Sequence, residues 1–160
     1  MAKISIIMGS QSDLETLQET INLLKSFGVD FEVRVLSAHR TPKELVRYVE
    51  DATKSGTKVF IAAAGGAAAL AGVVAAHTTR PVIGIPIETS SLKGLDSLLS
   101  TVQMPAGIPV ASMAIGKAGA KNAAIFALEI LGVTDKKIQG KLLKYKQNMR
   151  HKIRQVKIKI

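Results

Sequence analysis

Residues 3–13 read Lys3-Ile4-Ser5-Ile6-Ile7-Met8-Gly9-Ser10-Gln11-Ser12-Asp13. The nearly unbroken, β-branched run Lys3–Met8 predicts a strand buried on both faces, not the alternating strand of a half-exposed sheet. A glycine and two hydroxyl residues follow. Leu14, Leu17, Ile21 and Leu24 then recur at helical spacing. Ser12 and Glu15 fit a capping box at the start of that helix, and Gly28 fits its C-terminal stop. A buried strand that passes through a short polar loop into an amphipathic helix is the opening of a β-α-β unit.

The same figure repeats outward along the chain. A second strand, Phe31–Leu36, runs into Ser37-Ala38-His39-Arg40-Thr41-Pro42. Thr41 suits an N-cap, Pro42 a first helical residue, and Glu44 a second capping box. That helix reaches about Lys54 and Gly56 ends it. The third strand, Lys58–Ala63, opens into Ala64-Gly65-Gly66-Ala67 and an Ala-rich helix to about Thr78. The fourth, Val82–Ile87, leads through a Ser/Thr loop to a helix near Leu95–Val102. After the Pro- and Gly-bearing loop Gln103–Pro109, the fifth strand, Val110–Ile115, enters a helix that ends near Leu131. Five such units predict the α/β class: a single doubly wound parallel five-stranded sheet in the flavodoxin-like order 2-1-3-4-5, with right-handed crossovers. Beyond it, Ile138, Leu142, Tyr145, Met149, Ile153, Val156 and Ile160 recur at steps of three and four, an amphipathic helix whose other face is Lys and Arg. The expected organisation is a catalytic domain over residues 1–132 and a basic helix over 133–160. That helix packs on the same domain or on a neighbouring subunit.

Composition narrows the class. A chain of 160 residues, 47% apolar and 4% aromatic, favours one domain with one sizeable core. With no cysteine it has neither a disulfide framework nor thiolate chemistry. The start, Met1-Ala2-Lys3-Ile4, enters the first strand at once, unlike a signal peptide. No apolar run approaches the roughly 20 residues of a membrane span. A cytoplasmic protein with no membrane partner is expected. The net charge of +10 invites a nucleic-acid reading, but its distribution speaks against one. Residues 1–135 carry 12 Lys and Arg and 12 Asp and Glu, whereas residues 136–160 carry 10 Lys and Arg and no acid. The excess is confined to the tail, where a solvated helix face accounts for it more simply than a nucleic-acid partner does.

In an open parallel sheet, ligands bind outside the carboxyl ends of the strands, near the switch in strand order. In the order 2-1-3 the loops after the first three strands are neighbours. The first offers the hydroxyls of Ser10 and Ser12 and free N–H groups at a helix start, a ready anion site. Asp13 can accept from ribose hydroxyls. A merely capped turn uses the same residues, and this loop alone does not separate the two. In the second loop, His39 carries the side chain suited to proton transfer near neutral pH, although a lone loop histidine taken by itself is more often structural than catalytic. Arg40 beside it offers planar bidentate donors for a phosphate. In the third loop, Gly65, Gly66 and Ala67 let backbone approach a ligand and leave room for a planar ring, although close helix–sheet packing needs the same residues. His77 and His151 lie away from these loops and read as scaffold. The residues alone therefore point to a phosphate-ribose site with a histidine acid/base, in an enzyme of sugar phosphates or nucleotides or in a non-catalytic binding module.

Six segments carry a resemblance. They are Met8-Gly9-Ser10-Gln11-Ser12-Asp13, Ser37-Ala38-His39-Arg40-Thr41-Pro42, Ala64-Gly65-Gly66-Ala67-Ala68, Gly94-Leu95-Asp96-Ser97-Leu98, Gln103-Met104-Pro105-Ala106-Gly107-Ile108-Pro109-Val110 and Lys121-Asn122-Ala123-Ala124. In order and spacing, from about Ile4 to Leu131, they resemble the class I PurE family, 5-(carboxyamino)imidazole ribonucleotide mutase. The resemblance implies an isomerase of purine (IMP) biosynthesis that moves a carboxylate from an exocyclic amine to the adjacent ring carbon. It implies no metal or organic cofactor, and a homo-octamer with sites near subunit contacts. It casts Ser10, Asp13 and Arg40 as ribose and phosphate ligands. Ser12, Ser37, Ala38 and the backbone of Gly65, Gly66 and Ala67 complete the pocket, and His39 is the general acid/base. In the implied mechanism the carboxylate leaves as carbon dioxide, stays trapped in a small water-poor pocket, and is captured by the ring carbon. His39 then removes the ring proton.

The chain departs from the family in one place. Where the family commonly reads Gly-Gly-Ala-Ala-His-Leu-Pro-Gly, this chain reads Gly65-Gly66-Ala67-Ala68-Ala69-Leu70-Ala71-Gly72. The missing histidine is usually in or beside the pocket, so the change bears on substrate choice or rate more than on fold. The related class II enzymes carboxylate aminoimidazole ribonucleotide directly with carbon dioxide and tend to carry lysine in place of Arg40. The intact Arg40-Thr41-Pro42 favours class I. The other readings are the carboxylase, an idle ribonucleotide-binding protein, and a polyanion binder acting through the tail.

Overall fold

In the computed structural model, which describes residues 3–158, the opening run forms strand β1 (Ile4–Met8), buried at every position. It lies between β2 (Phe31–Val35) and β3 (Val59–Ala64), parallel to both. β4 (Val82–Pro86) and β5 (Ala111–Ser112) continue the sheet in the expected order β2-β1-β3-β4-β5.

Alternate side chains of β1 enter different cores, as the pleat requires. Ile4, Ile6 and Met8 join Ile61 and Ile83 beneath helices α1 (Leu14–Phe27) and α5 (Gly116–Gly132). Ile7 joins Phe60 and Val82 on the opposite face, beneath α2 (Pro42–Lys54) and α3 (Leu70–Ala76). On that second face α4 (Leu95–Val102) lies over β4, and Thr101 fills the space that Gly84 leaves free. Helices on both faces explain why β1, β3 and β4 carry almost no polar side chain. Each aliphatic residue so buried is worth about 1.5–3 kcal/mol relative to exposure.

Several boundaries differ from the sequence expectation, each for a local reason. The first cap falls on Ser10 instead of Ser12. Ser10 Oγ accepts from Ser12 N at 3.3 Å, and Ser10 N donates to Asp13 Oδ2 at 3.2 Å, closing a box around the 3-10 turn Gln11–Asp13 ahead of α1. Both boxes have the same spacing. The short Asp13 is buried and folds back, while Glu15 reaches outward to Lys117 Nζ at 2.8 Å. The predicted box at Thr41 and Glu44 is also absent. Thr41 Oγ1 accepts from Ser37 N at 2.9 Å and donates to Ser37 O at 3.2 Å, so the hydroxyl closes the loop after β2 and leaves the helix uncapped by side chains. α3 ends at Ala76, short of Thr78, whose hydroxyl instead meets Thr53 Oγ1 at 2.8 Å. β5 contracts to Ala111 and Ser112, which pair with Ile83 and Gly84 of β4.

Helix α6 (Lys136–Arg154) starts at Asp135, whose carboxylate accepts from Lys137 N and Ile138 N. Its first turns belong to the body: Ile138 and Leu142 are buried in the α1/α5 core, and Tyr145 sits against Phe27 with ring centroids 6.0 Å apart. Farther on, the same stripe faces outward, with Met149, Ile153 and Val156 exposed. Ile160 lies outside the described residues. Among the described residues, no helix is long and apolar enough to cross a membrane.

Candidate active site

The strand order decides where the chain can bind a ligand. β1 leads through α1 to β2 on one side, and β2 leads back across β1 to β3 on the other. The loops after β1 and β3 therefore part, and a crevice opens between them. A cleft of about 410 Å³ occupies this place, lined by the loops after β1, β2 and β3. A larger opening of about 560 Å³ lies at the other end of the sheet, between Lys3, Lys58 and the start of α6. It lacks the convergence of acid, guanidinium and imidazole that marks the first.

One wall consists of Gly9, Ser10 and Asp13. Gly9 N donates to Ala63 O at 3.1 Å, which ties this loop to the end of β3. Asp13 is only 8% exposed, and burial pushes its carboxyl above the usual range. The Ser10 N–H, the Ser12 hydroxyl and the Arg40 guanidinium pull in the other direction without overcoming it. Ser12 stands behind this wall. Its Oγ lies 2.9 Å from Ser10 Oγ and 3.3 Å from Asp13 Oδ1, within donating reach of both, so it orients the two residues that do line the cleft.

The second wall is the turn after β2, with Ser37, Ala38, His39 and Arg40. Arg40 Nη2 donates to Gly9 O at 2.7 Å and Arg40 Nε to Ser37 Oγ at 3.4 Å, so the guanidinium bridges two loops. Its backbone N also donates to Ser37 Oγ, at 3.2 Å. A guanidinium has five N–H donors, and these contacts leave others for an anion. The His39 side chain is exposed at the cleft edge, accessible to a ligand.

The third wall is aliphatic and backbone: Ala64, Gly65, Ala67, Ala68, Ala69 and Leu70. Gly66, with φ 67°, turns its N–H away from the cleft to Ser97 Oγ at 2.9 Å. Of the residues singled out from sequence, Ser10, Asp13, Ser37, Ala38, His39, Arg40, Gly65 and Ala67 line the cleft, while Ser12 and Gly66 support it. Ala68 and Leu70 line it without having been singled out, and Ala69, which stands where the family commonly carries a histidine, lines it too. Small aliphatic residues carry no chemical signature, so only their place after β3 and, for Ala69, the departure from the family could have pointed to them. His77 lies elsewhere, with Nδ1 3.6 Å from Glu50 Oε1. Among the described residues, no group of three or more His, Asp and Glu side chains is placed to hold a metal ion. A cleft with a guanidinium and a carboxylate on two walls and only aliphatic groups on the third suits a phosphorylated sugar that carries a flat, weakly polar ring.

Known proteins resemble this chain along most of its length. The chain is 52% identical over 153 residues to the N5-carboxyaminoimidazole ribonucleotide mutase of Saccharolobus solfataricus, covering 96% of each chain. It is 55% identical over 150 residues to the mutase of the same name from Pyrococcus abyssi, covering 94% of this chain and 85% of that one. The crystal structure of Treponema denticola PurE superposes with a TM-score of 0.86 at 30% identity, covering 94% of this chain and 92% of that one. The family model described as AIR carboxylase matches residues 3–152. The chain therefore belongs to the AIR carboxylase family.

Proposed function

We propose that this chain is a mutase that converts 5-carboxyaminoimidazole ribonucleotide to 4-carboxy-5-aminoimidazole ribonucleotide in purine biosynthesis. The observation that carries the reading is the meeting of Asp13, Arg40 and His39 in one cleft closed by a purely aliphatic wall. Arg40 and the Ser10 loop take the phosphate, and Asp13 accepts from the ribose hydroxyls. The imidazole ring lies along Gly65, Ala67 and Ala68. The exocyclic N–C bond breaks, carbon dioxide is released into the cleft, and the amine nitrogen gains the proton that His39 gives. The ring carbon then bonds the trapped carbon dioxide, and His39 takes that carbon's proton, which restores the aromatic ring and recharges the acid. The net change is one carboxylate moved and one proton exchanged. The aliphatic wall supports this scheme because it offers no side-chain nucleophile and no polar side chain to hold a water beside the ring, so carbon dioxide persists near the ring. The reading includes a homo-octamer in the cytoplasm. The outward face of α4, with Leu95, Leu99 and Val102 about half exposed, supports assembly because so large an apolar strip favours cover.

The family's description, AIR carboxylase, favours a second reading, direct carboxylation of aminoimidazole ribonucleotide. One coupled assay separates the two. The mutase turns over 5-carboxyaminoimidazole ribonucleotide without added bicarbonate, and His39→Asn lowers kcat by about 10²-fold or more, the scale of general acid/base catalysis. Activity seen only on aminoimidazole ribonucleotide with bicarbonate would replace the mutase by the carboxylase. Undiminished turnover in His39→Asn would remove His39 from the mechanism.

A further inference from the structure

Leu70 anchors the far end of the third wall in the core beside Ile7 and Phe60, but the stretch Gly65–Ala67 has no side chain large enough to hold it in place. Residues 65–69 contain two glycines and three alanines, small residues whose side chains do little to fix a loop. The fastening comes from α4. Ser97 is fully buried, and its Oγ uses both of its capacities: it donates to Ile87 O at 2.7 Å and accepts from Gly66 N at 2.9 Å. One hydroxyl thus pins the turn after β3 to the end of β4. Gly66 is in the left-handed region, which directs its N–H backward to Ser97 and its neighbours Gly65 and Ala67 forward into the cleft. The start of α4 is itself held. Asp96 Oδ1 accepts from Thr89 Oγ1 at 2.9 Å, and Thr89 Oγ1 accepts from Gly94 N at 3.3 Å. The wall is therefore referred to a braced helix end instead of being left to a mobile loop.

We propose that Ser97 is a positioning residue for the reaction, acting through the Gly66 N–H to set the aliphatic wall against the substrate ring. The assignment of a reaction rests on the mutase reading; the clamp rests on the cleft alone. Its physical basis is that an unpaired buried N–H is costly. Without the hydroxyl, the Gly66 amide must find another partner, and the wall moves with it. A displacement of about 1 Å at a reacting centre can cost on the order of 10²-fold in rate.

The test compares Ser97→Ala with Thr101→Val. Thr101 lies one turn later on the same helix, also buried, and its hydroxyl donates to Ser97 O at 2.7 Å without touching the wall. Both variants remove one buried hydroxyl from α4, so a purely structural role predicts similar losses of Tm and activity. The clamp predicts that Ser97→Ala lowers kcat by about 10-fold or more, speeds amide exchange at Gly66, and weakens binding of aminoimidazole ribonucleotide in calorimetry, consequences of a wall shifted from its productive place. It also predicts that Thr101→Val leaves all three near wild type and that Ser97→Thr, which restores the hydroxyl, recovers most of the rate. Equal losses in Ser97→Ala and Thr101→Val would overturn the proposal. So would wild-type kinetics and affinity in a folded Ser97→Ala protein. If wild type turns over neither ribonucleotide, the mutase reading fails, and the Ser97 clamp is judged by ligand affinity and Gly66 exchange alone.

Discussion

Among single residues, Asp13 places a carboxylate where the fold does not favour its charge. Burial holds that carboxyl above its usual range despite the Ser10 N–H, the Ser12 hydroxyl and Arg40. For an acid with a raised folded-state pKa, the fold is relatively stable while the group is protonated. That contribution is complete below the unfolded value and is lost as pH rises through the raised one. Asp13→Asn removes the charge and keeps an acceptor for the Ser10 N–H. The variant should therefore melt at or above the wild-type Tm at about pH 7.5, and its advantage should shrink toward about pH 4. Its affinity for aminoimidazole ribonucleotide should fall about 10-fold or more, because a neutral amide replaces a charge-assisted acceptor. Melting curves across this pH range, paired with calorimetry, check both halves. A variant that loses ground to wild type as pH rises would show that the hydrogen bonds to Asp13 outweigh its burial. Such trade-offs are common where function needs a group that stability does not.

Among the elements, the start of each helix records how tightly the chain turns from strand to helix. Gly119 lies in the first turns of α5, and a Cβ there would run into the backbone carbonyl of Ala114. Backbone cannot yield as a side-chain tip can, so Gly119→Ala should cost about 3 kcal/mol or more, the upper end for overpacking. At Gly140, exposed in the second turn of α6, an added Cβ would meet nothing within 4 Å. Gly140→Ala should stabilise by about 0.5–1 kcal/mol through helix propensity. Urea unfolding of the two variants gives opposite signs if the packing is as described. This contrast also shows what patterning conveys. Helical spacing located α1, α4 and α5 closely, and Gly28 as the stop of α1, because periodicity and a left-handed cap are local properties. Capping was less legible. Ser10 and Ser12 both have an acid three residues on, and only the burial of Asp13 selects the first.

In the molecule as a whole, α6 has two different ends. Ile138→Ala should cost about 2–5 kcal/mol, as for any aliphatic chain removed from a packed core, because Ile138 is 5% exposed in the α1/α5 core. Ile153 is 75% exposed at the far end. If that half of the stripe is covered by a neighbouring subunit, Ile153→Glu should lower the mass seen in light scattering while leaving the far-ultraviolet spectrum nearly unchanged. An unchanged mass would assign the distal turns to solvent. Part of the basic face of the same helix is tied to the body: Lys146 Nζ lies 2.6 Å from Glu129 Oε1, and Lys141 Nζ donates to Phe27 O.

Apart from the caps, what depends on neighbours along the chain was legible in the order of residues alone. The unbroken apolar runs set strands buried on both faces, the 3.6-residue period set the helices between them, and their alternation left a parallel, doubly wound sheet as the simplest arrangement. His39, Arg40 and Asp13 stood out because their side chains have chemistry that a scaffold does not need. Which of these meet, and what holds them, emerged only in three dimensions. Arg40 reaches Gly9 O across 31 positions, and Ser97 reaches Gly66 N across another 31. Ser97 itself looks like any small helical residue until its hydroxyl is seen buried between two backbone groups. Such contacts follow from strand order and helix placement, which sum the burial of every element at once, and no local window of sequence contains that sum.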